Sequence, residues 1–264
     1  MPRIVSLFRS RSFKIALAFI LFVAATLIIL AMMLGNEAGQ FVIRVQSGTA
    51  DKSIAISDSD DYLNKDNQKS TLVVSGIDNM YDYSPGYFLQ SGYQKLNEYS
   101  NKLGVNVVDG SLYVYTFYIV NTSAAGSAVG VNVSLSYSDV TNHCDEIVRV
   151  LTYYQSYNVQ DPKVYQKPDD LTKLGLAEAP FYDEYILKPI AFQNSTSTTG
   201  GVVFDNQAIH IGAGSGQNFV KYSIFFWLEG NDPDSEYYQH DGNANDLFGG
   251  TIKFKLDIIV DMAA

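Results

Sequence analysis

Cysteine is almost missing from this 264-residue chain, where Cys144 stands alone. No intrachain disulfide can form, so the fold must be held by its core. A lone thiol can be a nucleophile, and His143 precedes this one, but no pattern supplies a base held by an orienting group. Cys144 is read instead as a half-buried thiol at a strand edge. Cations are also few: 18 Lys and Arg stand against 28 Asp and Glu, a net charge of −10. A surface with no basic excess gains nothing from counterion release, which argues against nucleic acid as a partner. The three histidines, His143, His210 and His240, lie far apart, and none has a partner at soft-metal ligand spacing. Gly-x-Ser-x-Gly, His-Glu-x-x-His and a phosphate-binding glycine loop are absent. Glu229 and Asp232 resemble a glycosidase carboxylate pair only on paper, because isolated acids are expected by chance in so acidic a chain. The chain is read as non-enzymatic.

Charge is missing altogether from one long stretch. Ile15 to Leu34 holds no ionisable side chain, and its only polar one is Thr26. About 20 apolar residues suffice for a helix to cross a bilayer core. Arg3, Arg9, Arg11 and Lys14 precede the run, while Asn36 and Glu37 follow it. This bias places the N-terminus in the cytoplasm and the rest outside. The expected organisation is a basic cytoplasmic segment 1–14, a transmembrane helix 15–34 and an extracytoplasmic domain 36–264. A cleaved signal peptide is the alternative. Signal cores run to about 7–15 residues and end at a small-x-small site. This run is longer, and the positions after it, around Asn36-Glu37-Ala38, suit such a site poorly, so a retained single-pass anchor in the cell membrane is preferred.

What the chain does have is alternation. From Thr251 to Val260, Ile252, Phe254, Leu256, Ile258 and Val260 share one face, and Lys253, Lys255 and Asp257 the other. Phe219 to Leu228 places Tyr222, Ile224, Phe226 and Leu228 on one face and Phe225 and Trp227 on the other, as in a strand covered on both sides. Leu112 to Asn121 and Gly130 to Ser138 are further strands, with Ser123 to Ser127 read as a hairpin loop between them. Ile147 to Gln155, Gln40 to Val45, Ser53 to Ile56, Thr71 to Val74, Gly201 to Phe204 and Ala208 to Ile211 complete the set. About ten short strands without alternating helices indicate an all-β domain, an antiparallel β-sandwich of jelly-roll-like form. Two stretches break the rhythm. Ser91 to Leu103 carries Leu96, Tyr99 and Leu103 at helical spacing and is read as a helix across one end of the sandwich. Residues 156–194 hold Pro162, Pro168, Pro180 and Pro189 and are read as a long excursion, with a helical turn over Asp169 to Leu176.

Candidate ligand groups are few. Glu229, Asp232 and Asp234, with Asp241, Asn243, Asn245 and Asp246 beyond them, offer oxygen ligands over a short span. Ca²⁺ takes 6–8 oxygens, but the EF-hand spacing is missing. Asp58, Asp60 and Asp61 form a second acidic loop. Both are weighed as Ca²⁺ sites against the plainer reading of solvated turns. Tyr81, Tyr83, Tyr87, Tyr93, Tyr153, Tyr154, Tyr157, Tyr237 and Tyr238 are candidates for sugar or protein contacts, set against packing at the edge of a core. The sequons at Asn121, Asn132 and Asn194 are discounted as chance matches in a chain rich in Asn, Ser and Thr.

Tyr222-Ser-Ile-Phe-Phe-Trp-Leu-Glu-Gly-Asn-Asp-Pro-Asp-Ser235, followed by Gly249-Gly-Thr-Ile, resembles the strand, acidic turn and GG-strand ending of small Gram-positive surface proteins. More loosely it is similar to the TasA/camelysin matrix-fibre group, whose members are processed by a dedicated signal peptidase. The strand pair Leu112–Asn121 and Val131–Tyr137, and the start Gly39-Gln-Phe-Val-Ile-Arg-Val, fit the same resemblance. Ser235 departs from it, standing where the group often has Cys. The resemblance implies an anchored or secreted jelly-roll-like sandwich that builds extracellular fibres or coats. Two functions follow: a membrane-anchored structural protein that assembles with like subunits or other surface proteins, its first strand adding to a neighbour's sheet, or a surface module binding glycans or a protein, with or without Ca²⁺. Mass spectrometry of the native N-terminus separates anchor from secreted subunit. An intact start is expected, and a start near residue 39 would refute the anchor.

Overall fold

The computed structural model describes residues 41–46, 53–76, 80, 93–123, 126–156, 159–168, 189–195, 200–214, 216–229 and 249–261. Contacts divide the chain into Met1–Gln40 and Phe41–Ala264, and every described residue belongs to the second unit. The apolar run Ile15–Leu34 lies outside the described residues, and among these no helix is long and apolar enough to cross a membrane. The fold is all-β. Its strands are β1 (Phe41–Gln46), β2 (Ile54–Ser57), β3 (Thr71–Val74), β4 (Gly104–Val108), β5 (Leu112–Asn121), β6 (Val129–Ser138), β7 (Val148–Ser156), β8 (Val159–Gln166), β9 (Ile190–Ala191), β10 (Gly200–Ile211), β11 (Phe219–Leu228) and β12 (Lys253–Asp261). Two short helices, α1 (Tyr93–Tyr99) and α2 (Cys144–Ile147), interrupt them.

The first sheet has the order β10-β6-β12-β1-β3, and the second β2-β5-β11-β7-β8-β9. Strand β4 lies end to end with β2 along the same edge of β5, because β2 pairs with Tyr118–Asn121 and β4 with Leu112–Thr116. Inward side chains of the two sheets meet in a common core. Phe226 of β11 lies 5.5 Å from Phe41 and 4.5 Å from Phe254 between ring centroids, and Tyr165 stacks on Phe204 at 4.9 Å. Aromatic pairs at such offsets add to the area they bury. One polar link crosses this core, the Tyr222 hydroxyl donating to Gln207 Oε1 at 2.7 Å.

Several features differ from the alternation-based reading. The sheets are mixed, not purely antiparallel. Strands β1 and β12 run parallel in the register Val42↔Lys255 to Gln46↔Ile259, and β8 and β9 are also parallel. Period-two patterning assigns faces but says nothing of direction. The buried pair Ile43 and Leu256 fixes this register on the core face, and charge on the outer face agrees with it. Arg44 sits opposite Asp257 with its Nε 3.6 Å from Oδ1, and Lys255 Nζ reaches Oδ2 at 2.6 Å. Burial would raise the Asp257 carboxyl, but Lys255, Gln46 and Arg44 outweigh it and hold it below the usual carboxylate range. Strand β1 is bonded on both sides and so is not an exposed edge.

The segment after β5 is no hairpin loop. Strand β5 belongs to one sheet and β6 to the other, so the chain crosses between layers. Asn121 holds that corner, donating to the carbonyls of Ser127 at 2.8 Å and Gly212 at 3.0 Å while accepting from Ser123 N. The two runs at 201–204 and 208–211 are one strand, β10, with register shifts around Asp205 and Asn206. Asn206 takes φ 58°, a left-handed conformation that Asn tolerates, and the bulge passes as a turn in sequence. Gly201 is required there, because a Cβ would lie 2.1 Å from the Asn194 carbonyl oxygen. Strands β8 and β9 occupy the two ends of the supposed excursion, whose expected helical turn at 169–176 lies outside the described residues. Helix α1 is real but covers the outer face of the second sheet through Leu96, not one end of the sandwich. Cys144 opens α2 at 6 % exposure, its thiol donating to the Thr251 carbonyl at 3.0 Å. Burial and the adjacent Asp145 push that thiol up to about 12, so no thiolate is on offer near neutrality.

The core is rich in phenols. Burial raises Tyr113, Tyr115 and Tyr222, and pushes Tyr165 up to about 12. An unfolded Tyr ionises near pH 10 (about that value), whereas the folded state keeps these groups protonated further up. Their contribution is whole below about pH 10 and is lost as pH climbs toward the folded values. The urea midpoint is therefore expected to hold steady to about pH 9.5 and then fall. Tyrosines outside the core ionise first, at about pH 10 and in the intact fold, so only the remaining phenolate absorbance, that of the buried tyrosines, should appear together with loss of far-UV signal. Complete ionisation of all the tyrosines in an intact fold would contradict this packing.

Candidate functional site

The outer face of the second sheet grades from apolar to polar, and this gradient builds the candidate site. Register places side chains in rows across β5, β11, β7 and β8. The row Val114, Phe225, Leu151 and Val164 is fully apolar and lies in the small core under α1 with Leu96 and Trp227. One step along, Thr116 and Ser223 are buried and share a 2.8 Å hydrogen bond, beside Tyr153, whose hydroxyl donates to Asn97 Oδ1 at 2.7 Å. One step further the row is Tyr118, Lys221, Gln155 and Gln160.

These four, with Ser156, Gly216 and Phe219, line a cleft of about 320 Å³. Tyr62 lies over its rim, 4.3 Å from the Tyr118 ring and 4.6 Å from Phe219. Tyr118 and Phe219 meet edge to face at 5.4 Å. Lys221 Nζ lies 3.4 Å from Asn101 Oδ1, and its half-buried ammonium is pulled below the ordinary lysine value by desolvation. Burial, with the nearby charge of Asp60, raises Tyr118. Gln155 also bonds Asn97, which ties the row to α1. Aromatic faces beside amides and one cation can stack on a flat polar ligand and hydrogen-bond its hydroxyls or amides.

The residues singled out in sequence fare differently. Glu229 is 2 % exposed, accepts from the Trp227 indole at 3.4 Å, and its backbone N–H donates to the Ile147 carbonyl at 2.9 Å. It belongs to the end of β11. Asp232 and Asp234, and Asp241 to Asp246, lie outside the described residues. In the other acidic loop, Asp58 faces Lys69 at 3.4 Å and accepts from the Tyr115 hydroxyl at 3.4 Å, while Asp61 accepts from Asn64. Among the described residues no three His, Cys, Asp or Glu side chains are grouped to hold a metal ion. Of the tyrosines, Tyr153 is buried and Tyr154 half-buried, while Tyr81, Tyr83, Tyr87, Tyr157, Tyr237 and Tyr238 lie outside the described residues, as does the side chain of Tyr93. Sequence reading passed over Tyr62, Tyr118 and Lys221. The signal for two of them was parity: Tyr118 and Lys221 sit at outward positions of strands whose other outward residues are small or apolar.

No protein-family model, no curated protein and no solved structure matches the chain.

Trp227 is fully buried, and it closes the apolar end of the gradient. Truncation to Ala is expected to cost about 3–5 kcal/mol through lost burial and an unfilled cavity. At this domain size each kcal/mol lowers the melting temperature by about 2–4 °C. A Trp227→Ala melt within about one degree of wild type would refute the core role.

Proposed function

We propose that the chain is a non-enzymatic structural protein of the cell surface, held to the membrane by residues 15–34 and assembling through its β-domain with like subunits or other surface proteins. The observation that carries this reading is the pair of sheet edges. Strand β4 bonds only to β5 and β3 only to β1 among the described strands. Both present valines to solvent, Val105 at 37 % and Val107 at 44 % on β4, and Val73 at 52 % on β3. Soluble proteins usually blunt such edges with charge, proline or bulges, because a bare edge templates another strand. Assembly by strand addition uses that template, with backbone bonds for affinity and side-chain pockets for register. With β1 bonded on both sides, the addition proceeds through β3 or β4.

The strand order also supports the jelly-roll-like expectation. Strands β12-β6-β10 of one sheet oppose β5-β11-β7-β8 of the other, with sequential strands passing between layers. The parallel β1 is an addition to that pattern. Support for the anchor is the charge-free run and its flanks. Support for a non-catalytic role is the use of Cys144 and Glu229 as internal hydrogen-bonding groups.

Light scattering on the 36–264 segment tests assembly. Oligomers that grow with concentration are expected, and Val107→Lys on β4 or Val73→Lys on β3, whichever edge is used, should shift them toward monomer without lowering the melting temperature, because an edge charge blocks pairing and both valines are exposed. A wild-type segment that stays monomeric at high concentration, with and without Ca²⁺, would refute it. The second reading, a glycan- or protein-binding module, is favoured by the Tyr118–Lys221–Gln155–Gln160 row. A glycan array and calorimetry with Ca²⁺ address it. Binding lost in Tyr118→Ala would support it, and flat results on both would remove it.

A further inference from the structure

The described residues hold one side-chain cluster that neither the fold nor the proposed function uses. It lies where α2 meets the end of β8. Lys167 Nζ is 2.7 Å from Asp145 Oδ2 and 3.5 Å from Glu146 Oε1. The three side chains are 15 %, 3 % and 17 % exposed, respectively. Apolar residues flank the site on one side, and on the other the half-exposed His143 places its Nδ1 3.7 Å from the same Glu146 Oε1. Cys144 and Ile147 are buried on either side of the acids, and the Phe192 backbone is bonded to the Gln166 carbonyl next to Lys167. Burial, and after it the charge of nearby Asp145, pushes the Tyr137 hydroxyl up to about 12. Tyr137 in turn packs on Phe192 at 5.5 Å.

A buried ion pair is a costly way to join two segments, since desolvation offsets most of the attraction. Attack needs the amine and the acid in their neutral forms, and one proton moved along the hydrogen bond from nitrogen to oxygen supplies both. Near-attack geometry needs the reacting atoms about 3–3.5 Å apart, and a nitrogen bonded to Oδ2 stands beside the carbon that carries it. A second carboxyl within reach of the nitrogen completes the arrangement.

We propose that Lys167 and Asp145 become joined by an intramolecular isopeptide bond, with Glu146 as the proton carrier. Lys167 Nζ attacks Asp145 Cγ, and a C–N bond forms. Glu146 takes the proton from Nζ and returns it to the departing Asp145 hydroxyl. The C–O bond breaks, the oxygen leaves as water, and Glu146 ends in its starting state. Amine plus acid gives amide plus water, with no oxidant, metal or co-reactant. Asp145 is the acceptor because it is the closer and the more buried acid. The bond closes a loop of 22 positions around the β7–β8 hairpin and takes the place of the disulfide that a single cysteine rules out.

Mass spectrometry of the full chain, purified under denaturing conditions, decides the matter, because an ion pair does not survive unfolding and an amide does. The expected wild-type result is a proteolytic product in which the segment containing Asp145 is joined to the segment containing Lys167, lighter than their sum by one water. Lys167→Arg keeps the charge and the ion pair but should give two separate peptides at full mass. Glu146→Gln should leave most of the chain unlinked while its circular dichroism stays native. Unlinked wild-type peptides at full mass would overturn the proposal whatever the variants do. A linked Glu146→Gln protein would overturn the role given to Glu146.

Discussion

Strand β11 must be buried on both faces, and the rest of the second sheet is arranged to satisfy that demand. Its residues from Val220 to Trp227, Lys221 excepted, are 5 % exposed or less. Tyr222, Ile224 and Phe226 point into the core shared by the two sheets, and Phe225 and Trp227 point the other way. A strand of this composition at a sheet edge or on a solvated face would leave large aromatic area in water, at about 25 cal/mol per Å². The sheet answers by flanking β11 with β5 and β7 over nearly its full length. The other answer is α1, a helix of 7 residues. So short a helix is not stable alone. It stands because Leu96 caps the apolar rows that β11 and its neighbours present.

Burial on the outer face leaves one conspicuous cation. Arg149 lies opposite Trp227 and is fully buried, with its guanidinium near the carbonyls of Glu146 and Val148, both at 3.4 Å. A guanidinium carries five donors in a fixed fork, so it can satisfy several carbonyls at a strand end. Glu229 follows on the same edge, accepting the indole proton. Polar groups that read in sequence as a turn poised for a ligand are thus partly engaged in closing the end of the sheet.

Much of the fold was legible because alternation is a direct image of burial. Leu112–Asn121 and Thr71–Val74 match their strands at both ends, and the two-faced pattern of Phe219–Leu228 marked the central strand. What alternation does not carry is which strand lies beside which. It could not say that β5 and β6, joined by the seven residues 122–128, enter different layers, nor that β1 runs with β12 and not against it. Short strands without a clean pattern were also lost. Strand β4 alternates weakly through Gly104-Val-Asn-Val-Val, and β8 carries Pro162, a residue that argues against a strand unless it sits where no ladder donor is needed. The candidate cleft was harder still. Its members come from four strands and a loop, and they meet only through register. The Lys167–Asp145 pair was invisible for the same reason, since nothing local distinguishes it from other charges in an acidic chain.

The parallel seam between β1 and β12 has a mechanical meaning. These are the first and last of the described strands, and they run the same way with five paired positions, Val42↔Lys255 through Gln46↔Ile259. Tension between the two ends of the chain draws β1 backward from Phe41 and β12 forward from Asp261, along the strand axes. The seam is then loaded in shear, so its hydrogen bonds and the Arg44–Asp257 pair resist together. An antiparallel pair pulled from one end peels open a rung at a time. The way these two strands are joined therefore sets their whole seam, and not one rung at a time, against tension along the strand axes.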